Sequence, residues 1–174
     1  MIIFKWPVSF DENEWGLLAA LLILIIVSIA LPKRFPAIVT FLIMLFNAFL
    51  GTAVDFILAT EYPFDFYDTF DTPKYDFMDF LMYKVVYPLF GYISLYFYDK
   101  WHIRGRDRLR YMAVWVAVSV TLEALASYLH VFTYKNWNLY YSAISYLVIF
   151  WINLSFFRLI HFGMEQIRKT SDNP

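Results

Sequence analysis

The sequence has no cysteine and only three histidines among 174 residues. Without thiols there is no disulfide framework, no thiolate metal site and no cysteine nucleophile, and cysteine usage says nothing of the compartment. Also missing are the GxSxG, HExxH, P-loop and dinucleotide fingerprints, so the chain carries no familiar signature of an enzyme. No internal repeat or low-complexity segment stands out. No cofactor, resident metal or catalytic residue is expected on these grounds, and nucleic acid is not an expected partner.

What the chain does have is apolar surface. Its hydrophobic fraction is 61% and its mean hydropathy +0.54, more than a soluble domain of this length can bury. The surplus calls for lipid. Aromatic residues make up 22%, including 14 Tyr and 6 Trp, and side chains with an apolar body and a polar tip collect where hydrocarbon meets headgroups. The expected fold is all-α: one membrane domain over 1–174, with five transmembrane helices at about 15–31, 37–60, 80–98, 111–132 and 139–162. The first run follows Asp11, Glu12 and Glu14 and precedes Pro32-Lys33-Arg34, so it reads as a retained span rather than a cleaved signal. Met1 to Phe10 is too short to cross and is expected along the interface. Pro63 helps to stop the second span, and Pro88 predicts a kink in the third.

Charge sorts the connections. Lys33, Arg34, Lys100, Arg104, Arg106, Arg108, Arg110, Arg158, Arg168 and Lys169, ten of 14 basic residues, fall on one side of a five-span alternation. Asp11, Glu12, Glu14, Glu61, Asp65, Asp68, Asp71, Asp76 and Asp79, nine of 15 acids, fall on the other. The positive-inside rule then predicts an outer N-terminus, an inner C-terminus, an acidic outer loop at 61–79 and a basic inner loop at 99–110 in a multi-pass protein of the cell membrane. The basic loop can meet anionic headgroups, although orientation alone accounts for it. Asp65-x-x-Asp68-x-x-Asp71 resembles a divalent-cation ligand set but lacks the glycine turn and closing glutamate of an EF-hand.

The costly residues are the polar ones inside the spans. Glu123 is twelve residues from Tyr111 and nine from Phe132, near the middle of its expected helix, where an isolated acid costs a few kcal/mol. Ser119, Glu123, Ser127 and His130 share one helical stripe, which must face the bundle. Two readings stay open: a proton, cation or polar-substrate site, or a protonated acid hydrogen-bonded to a neighbouring span. Asp55 and Lys84 fall at similar depth near the outer ends of their spans, which predicts a pair that His130 can join; otherwise Lys84 snorkels and Asp55 caps a helix end. Ser142, Ser145, Tyr146 and Asn153 follow helical spacing, and Trp137 and Tyr141, with Tyr134 and Tyr140, read as an aromatic belt or as a sugar- or lipid-stacking site.

The runs Tyr87-Pro88-Leu89-Phe90-Gly91-Tyr92 and Tyr96-Phe97-Tyr98, then Glu123, Val131 to Asn138 with its Tyr-Lys-x-Trp segment, Tyr141-Ser142 and Tyr146 form a recognisable pattern. It resembles a family of small, functionally uncharacterised five-span membrane proteins of Gram-positive spore-forming bacteria. The similarity covers the chain from about Gly51 onward, and Asp55, Glu123, Trp137 and Ser142 match its recurring polar or aromatic positions. It implies the architecture and a bacterial plasma membrane, and carries over no activity. Three functions are therefore weighed. The preferred one is a non-enzymatic accessory, sensory or envelope component whose partners are the lipid bilayer and a second membrane protein or further copies of itself. The alternatives are a small transporter or channel with Glu123 as proton or cation site, and a lipid-acting membrane enzyme using Glu123, His130 and Asp55.

Overall fold

The computed structural model describes residues 6–7, 9–59, 64–70 and 75–171. Expectations for residues 1–5, Glu61, Pro63, Asp71 and Lys74, and for the side chains of Arg168 and Lys169, lie outside the described residues. In order, the elements are α1 (Glu12–Ala30), α2 (Ala37–Leu58), β1 (Tyr67–Thr69), α3 (Phe77–Leu81), a π-helical turn (Met82–Val86), α4 (Tyr87–Lys100), α5 (Asp107–Tyr128), β2 (Phe132–Tyr134) and α6 (Leu139–Ser171). The segments α3, π-turn and α4 form one continuous helix. Among the described residues, five helices are long and apolar enough to cross a membrane: Glu12–Ala30, Ala37–Leu58, Phe77–Lys100, Asp107–Tyr128 and Leu139–Gln166.

The helix boundaries follow from local chemistry. Asp11 accepts from the backbone of Asn13 and its own N–H donates to Glu14 at 2.9 Å, a capping box that starts α1. Asp76 and Asp79 repeat the device at α3, so the third long helix begins at Phe77 rather than near Phe80. Acids read in the sequence as outer-side charges are thus in part buried caps, with Asp76 fully enclosed. Pro88 has no N–H and its ring would crowd the carbonyl four residues back. The chain accommodates it one turn earlier, where Tyr87 N–H donates to the carbonyl of Met82 across the π-turn.

The fourth long helix is displaced from its expected 111–132. It starts at Asp107 and stops at Tyr128, because Val131 N–H reaches back to Ala126 and His130 N–H to Ser127, with His130 left-handed at φ 59°. That is a Schellman close, and the freed residues become β2. Strand β2 pairs antiparallel with β1, Tyr67 opposite Tyr134, Asp68 opposite Thr133 and Thr69 opposite Phe132. The all-helical expectation therefore gains a two-stranded cap over one end of the bundle.

The ends sort as an up-and-down chain requires. The α2–α3 and α5–α6 connections meet in the cap, while Arg34, between α1 and α2, forms an ion pair with Asp99 near the end of α4. The third long helix is the hub: 44% of its most apolar window is buried, against at most 22% in the other four. Lining one half of the bundle are Ile43, Leu95, Met112, Phe150 and Leu154; under the cap are Leu17, Phe70, Met78, Tyr83 and Val131. Outward faces carry Ile23, Ile26, Ile29, Phe41, Leu45 and Phe49, an apolar coat of the kind lipid covers.

A polar pair pins the middle of the core. Asn153 Nδ2 donates to Asn47 Oδ1 at 2.9 Å, and Asn47 Nδ2 donates to the carbonyl of Ile43 at 2.9 Å. Gly91 makes room for it, since a Cβ there would lie 2.2 Å from Asn47 Oδ1. Gly91→Ala is expected to displace that amide and cost about 1–3 kcal/mol by overpacking. Thermal unfolding in detergent checks this, and Gly163→Ala, a helical site whose new Cβ meets nothing within 4 Å, is the clash-free control, expected to keep or gain stability.

Candidate functional site

Three carboxyl groups lie just under the cap, each accepting from at least one hydroxyl and none from a cation. Glu123, 8% exposed, faces inward from α5. Its Oε1 accepts from Tyr134 Oη at 2.6 Å and from Ser142 Oγ at 2.5 Å. Asn138 creates half of this arrangement: its side chain accepts from the backbone of Tyr140 and Tyr141, opening α6 so that Ser142 comes onto the first turn opposite α5. Trp137 Nε1 donates to Ser142 Oγ at 2.7 Å, which completes a relay from indole to hydroxyl to carboxylate. The phenol of Tyr146 lies close to the same acid. Because α5 ends at Tyr128, Glu123 is five residues, roughly 8 Å, from the capped end and not mid-helix as expected.

Asp55, near the end of α2, has its own pair of phenols. Tyr83 Oη donates to its Oδ1 at 2.5 Å and Tyr67 Oη at 3.4 Å. Burial, followed by the neighbouring Asp55 charge, holds the Tyr67 phenol well above its usual range, so it remains a donor. Tyr134 is pushed up in the same way, first by burial and then by Glu123. Asp79, at the start of α3, accepts from Thr69 Oγ1 of β1 at 2.7 Å. Tyr87, on the first turn of α4, lies in the same region as these three acids.

The predicted Asp55, Lys84, His130 cluster does not form. Lys84 Nζ donates instead to Thr52 Oγ1 at 2.6 Å, one turn back along α2. The cause is the π-turn, which carries both Tyr83 and Lys84 and turns the phenol, not the ammonium, toward Asp55. His130 is exposed, beyond the end of α5, on the side of Asp11. The predicted stripe therefore divides. Ser127 Oγ donates to the carbonyl of Phe132 at 3.3 Å, joining helix to strand, while Ser119 is buried with its hydroxyl unpartnered among the described residues.

The aspartates of the expected cation motif are also engaged. Lys135 Nζ reaches Asp65 at 2.8 Å and Asp68 at 3.0 Å, which raises the lysine pKa. Asp71 is outside the described residues. Among the described residues, no three His, Asp or Glu side chains converge to hold a metal ion. Trp137, half-buried, has its ring tilted against Phe66, Tyr67 and Tyr141, with its N–H already donated to Ser142. Tyr141 remains 46% exposed, as a belt residue would.

Sequence reasoning did not name Tyr83, Tyr67, Thr52 or Thr69. Only the Asp76-x-x-Asp79 spacing before an apolar run carried a readable signal, that of a capping box. Chemically, the arrangement holds carboxyls in place through neutral donors, the hydroxyls of Tyr134 and Ser142 on Glu123 foremost. No protein-family model, curated protein or solved structure matches this chain.

Two outcomes follow. In a double-mutant cycle, Tyr134→Phe and Glu123→Gln are expected to couple by more than about 0.5 kcal/mol in unfolding free energy, since they share one hydrogen bond. His130→Gly is expected to leave the unfolding free energy unchanged or raise it by up to about 1 kcal/mol, as left-handed strain is relieved. A large loss of stability would mean that the imidazole makes a contact within the bundle.

Proposed function

We propose that this is a multi-pass protein of a bacterial plasma membrane, N-terminus outside and C-terminus inside, acting as a non-enzymatic accessory, sensory or envelope component. One observation carries the reading: the acids beneath the cap are matched to hydroxyls of the cap and of neighbouring helices, notably Glu123 to Tyr134 and Ser142. Groups committed to one another in this way hold a shape. The five apolar helices support the membrane location, the charge asymmetry supports the orientation, and the sequence resemblance supports the bacterial setting.

The transporter alternative is favoured by a separate feature. Glu123, Asp55 and Asp79 share one tyrosine-lined region and form no ion pair among the described residues, which suits a group that takes up a proton. Neither the apolar recess between α2 and α6 nor the one at the Arg34 end is lined by Glu123. The enzyme alternative loses its third group, because no contact joins His130 to Glu123 or Asp55.

Two measurements test the reading. With no native cysteine, single cysteines at His130 and Arg106 can be probed with a membrane-impermeant maleimide; intact cells are expected to label the first, and the second only after lysis. In liposomes, Glu123→Gln is expected to assemble as the wild type does and to leave proton and cation flux at the protein-free level in both. Flux in the wild type that the variant loses would install the transporter reading instead.

A further inference from the structure

The end of the molecule opposite the cap holds a recess of about 400 Å³ lined by Tyr98, Asp99, His102, Ile103, Arg104 and Arg108. Its walls come from the turn that joins α4 to α5. His102 at φ 50° and Gly105 at φ 56° reverse the chain, and His102 N–H to Asp99, Ile103 N–H to Tyr98 and Asp107 N–H to Arg104 fix the backbone. The recess is therefore built by the fold rather than left between loose loops.

Its charge is one-sided. Asp99 is the acid among the lining residues, and Arg34 takes its carboxylate in an ion pair while also donating to its carbonyl at 3.1 Å. Arg108 Nε donates to Tyr98 Oη at 3.1 Å, which holds the guanidinium by its stem side. The two Nη groups of Arg108 and the whole guanidinium of Arg104 have no hydrogen-bond partner among the described residues. A planar fork held this way presents parallel N–H donors, the arrangement that receives two oxygens of a phosphate. Arg106 and Arg110 do not line the recess, and Arg110 is paired with Asp107 at 3.1 Å. Four arginines evenly spaced in sequence thus separate into two that line the recess and two that do not.

The surroundings match a headgroup plane. Trp101, 57% exposed, and Leu109, 68% exposed, flank the turn, and Lys100 Nζ lies 5.9 Å and 5.8 Å from the ring centres of Tyr96 and Phe97. Aromatic bodies beside cationic tips are the pattern of a membrane–water boundary.

We propose that this recess binds a phosphate group through Arg104 and Arg108, supplied by the headgroup of an anionic phospholipid of the inner leaflet. The lipid as source rests on the membrane reading above; the phosphate chemistry of the recess does not.

Native mass spectrometry of the full chain, extracted from mixed phosphatidylglycerol and phosphatidylcholine bilayers, tests it. The wild type is expected to retain phosphatidylglycerol, and Arg104→Gln with Arg108→Gln to lower that retention about tenfold. Arg106→Gln with Arg110→Gln removes the same charge and is expected to stay within about twofold. Arg104→Gln alone guards against a folding artefact, because that exposed side chain makes no hydrogen bond or ion pair among the described residues. Equal loss in both double variants, or equal retention of phosphatidylcholine, would overturn the site. Inorganic phosphate titrated onto lipid-free protein in detergent forms a second arm. Saturable binding there with the same variant pattern, and no lipid retained, would keep the phosphate site and overturn the lipid source. Release of the chain from membranes by alkaline carbonate would overturn the membrane reading by itself, whatever the recess binds.

Discussion

The structure depends on how a carboxyl group is kept inside a helical bundle with no cation beside it. An ionised acid taken out of water unpaired is prohibitive, and even a neutral polar group costs a few kcal/mol when it lacks a hydrogen bond. Glu123 meets that constraint with donors that bring no charge, the hydroxyls of Tyr134 and Ser142. Asp55 meets it with Tyr83 and Tyr67, and Asp79 with Thr69. Phenols serve well because burial and nearby acids both favour their protonated form. The wealth of tyrosine, which composition alone assigns to membrane boundaries, is thus partly internal.

These bonds tie layers together that sequence separates. Tyr134 and Thr69 sit on the two strands of the cap, whereas Glu123 and Asp79 sit on helices beneath it. Lys135, next after β2, then ties to β1 itself through Asp68 and to the chain ahead of it through Asp65, and Trp137 leads from the cap into α6 through Ser142. A sheet of three residues per strand is too small to persist by itself. Here it is fastened from below by acids and from the side by a salt bridge, so the two connections behave as one lid over the bundle.

Much of the fold was legible in the sequence. Five apolar runs, their lengths and the alternation of charged connections follow from hydropathy and from the cost of bare backbone in oil, and the five long helices agree with them. The cap was not legible, because Val131 to Tyr134 is as apolar as a helix end, and its strand character comes from a partner sixty-odd positions away in β1. Neither was the switch from Lys84 to Tyr83 as the neighbour of Asp55. Depth counting assumes an unbroken α-helix, and the π-turn ahead of Pro88 rotates everything before it. Glu123 was identified as an inward acid, but its depth moved when its helix stopped at Tyr128.

The asparagine pair at Gly91 has a bearing on assembly. Apolar helices in an apolar medium have no strong reason to prefer one axial offset over another, because sliding by a turn exchanges one greasy contact for a similar one. Asn47 fits against α4 only where a side chain is missing, and it reaches Asn153 of α6 only at that height. A single notch therefore keys three rods to a common level. Everything farther out, including the spacing that lets the lid meet its acids, inherits its alignment from that one seat.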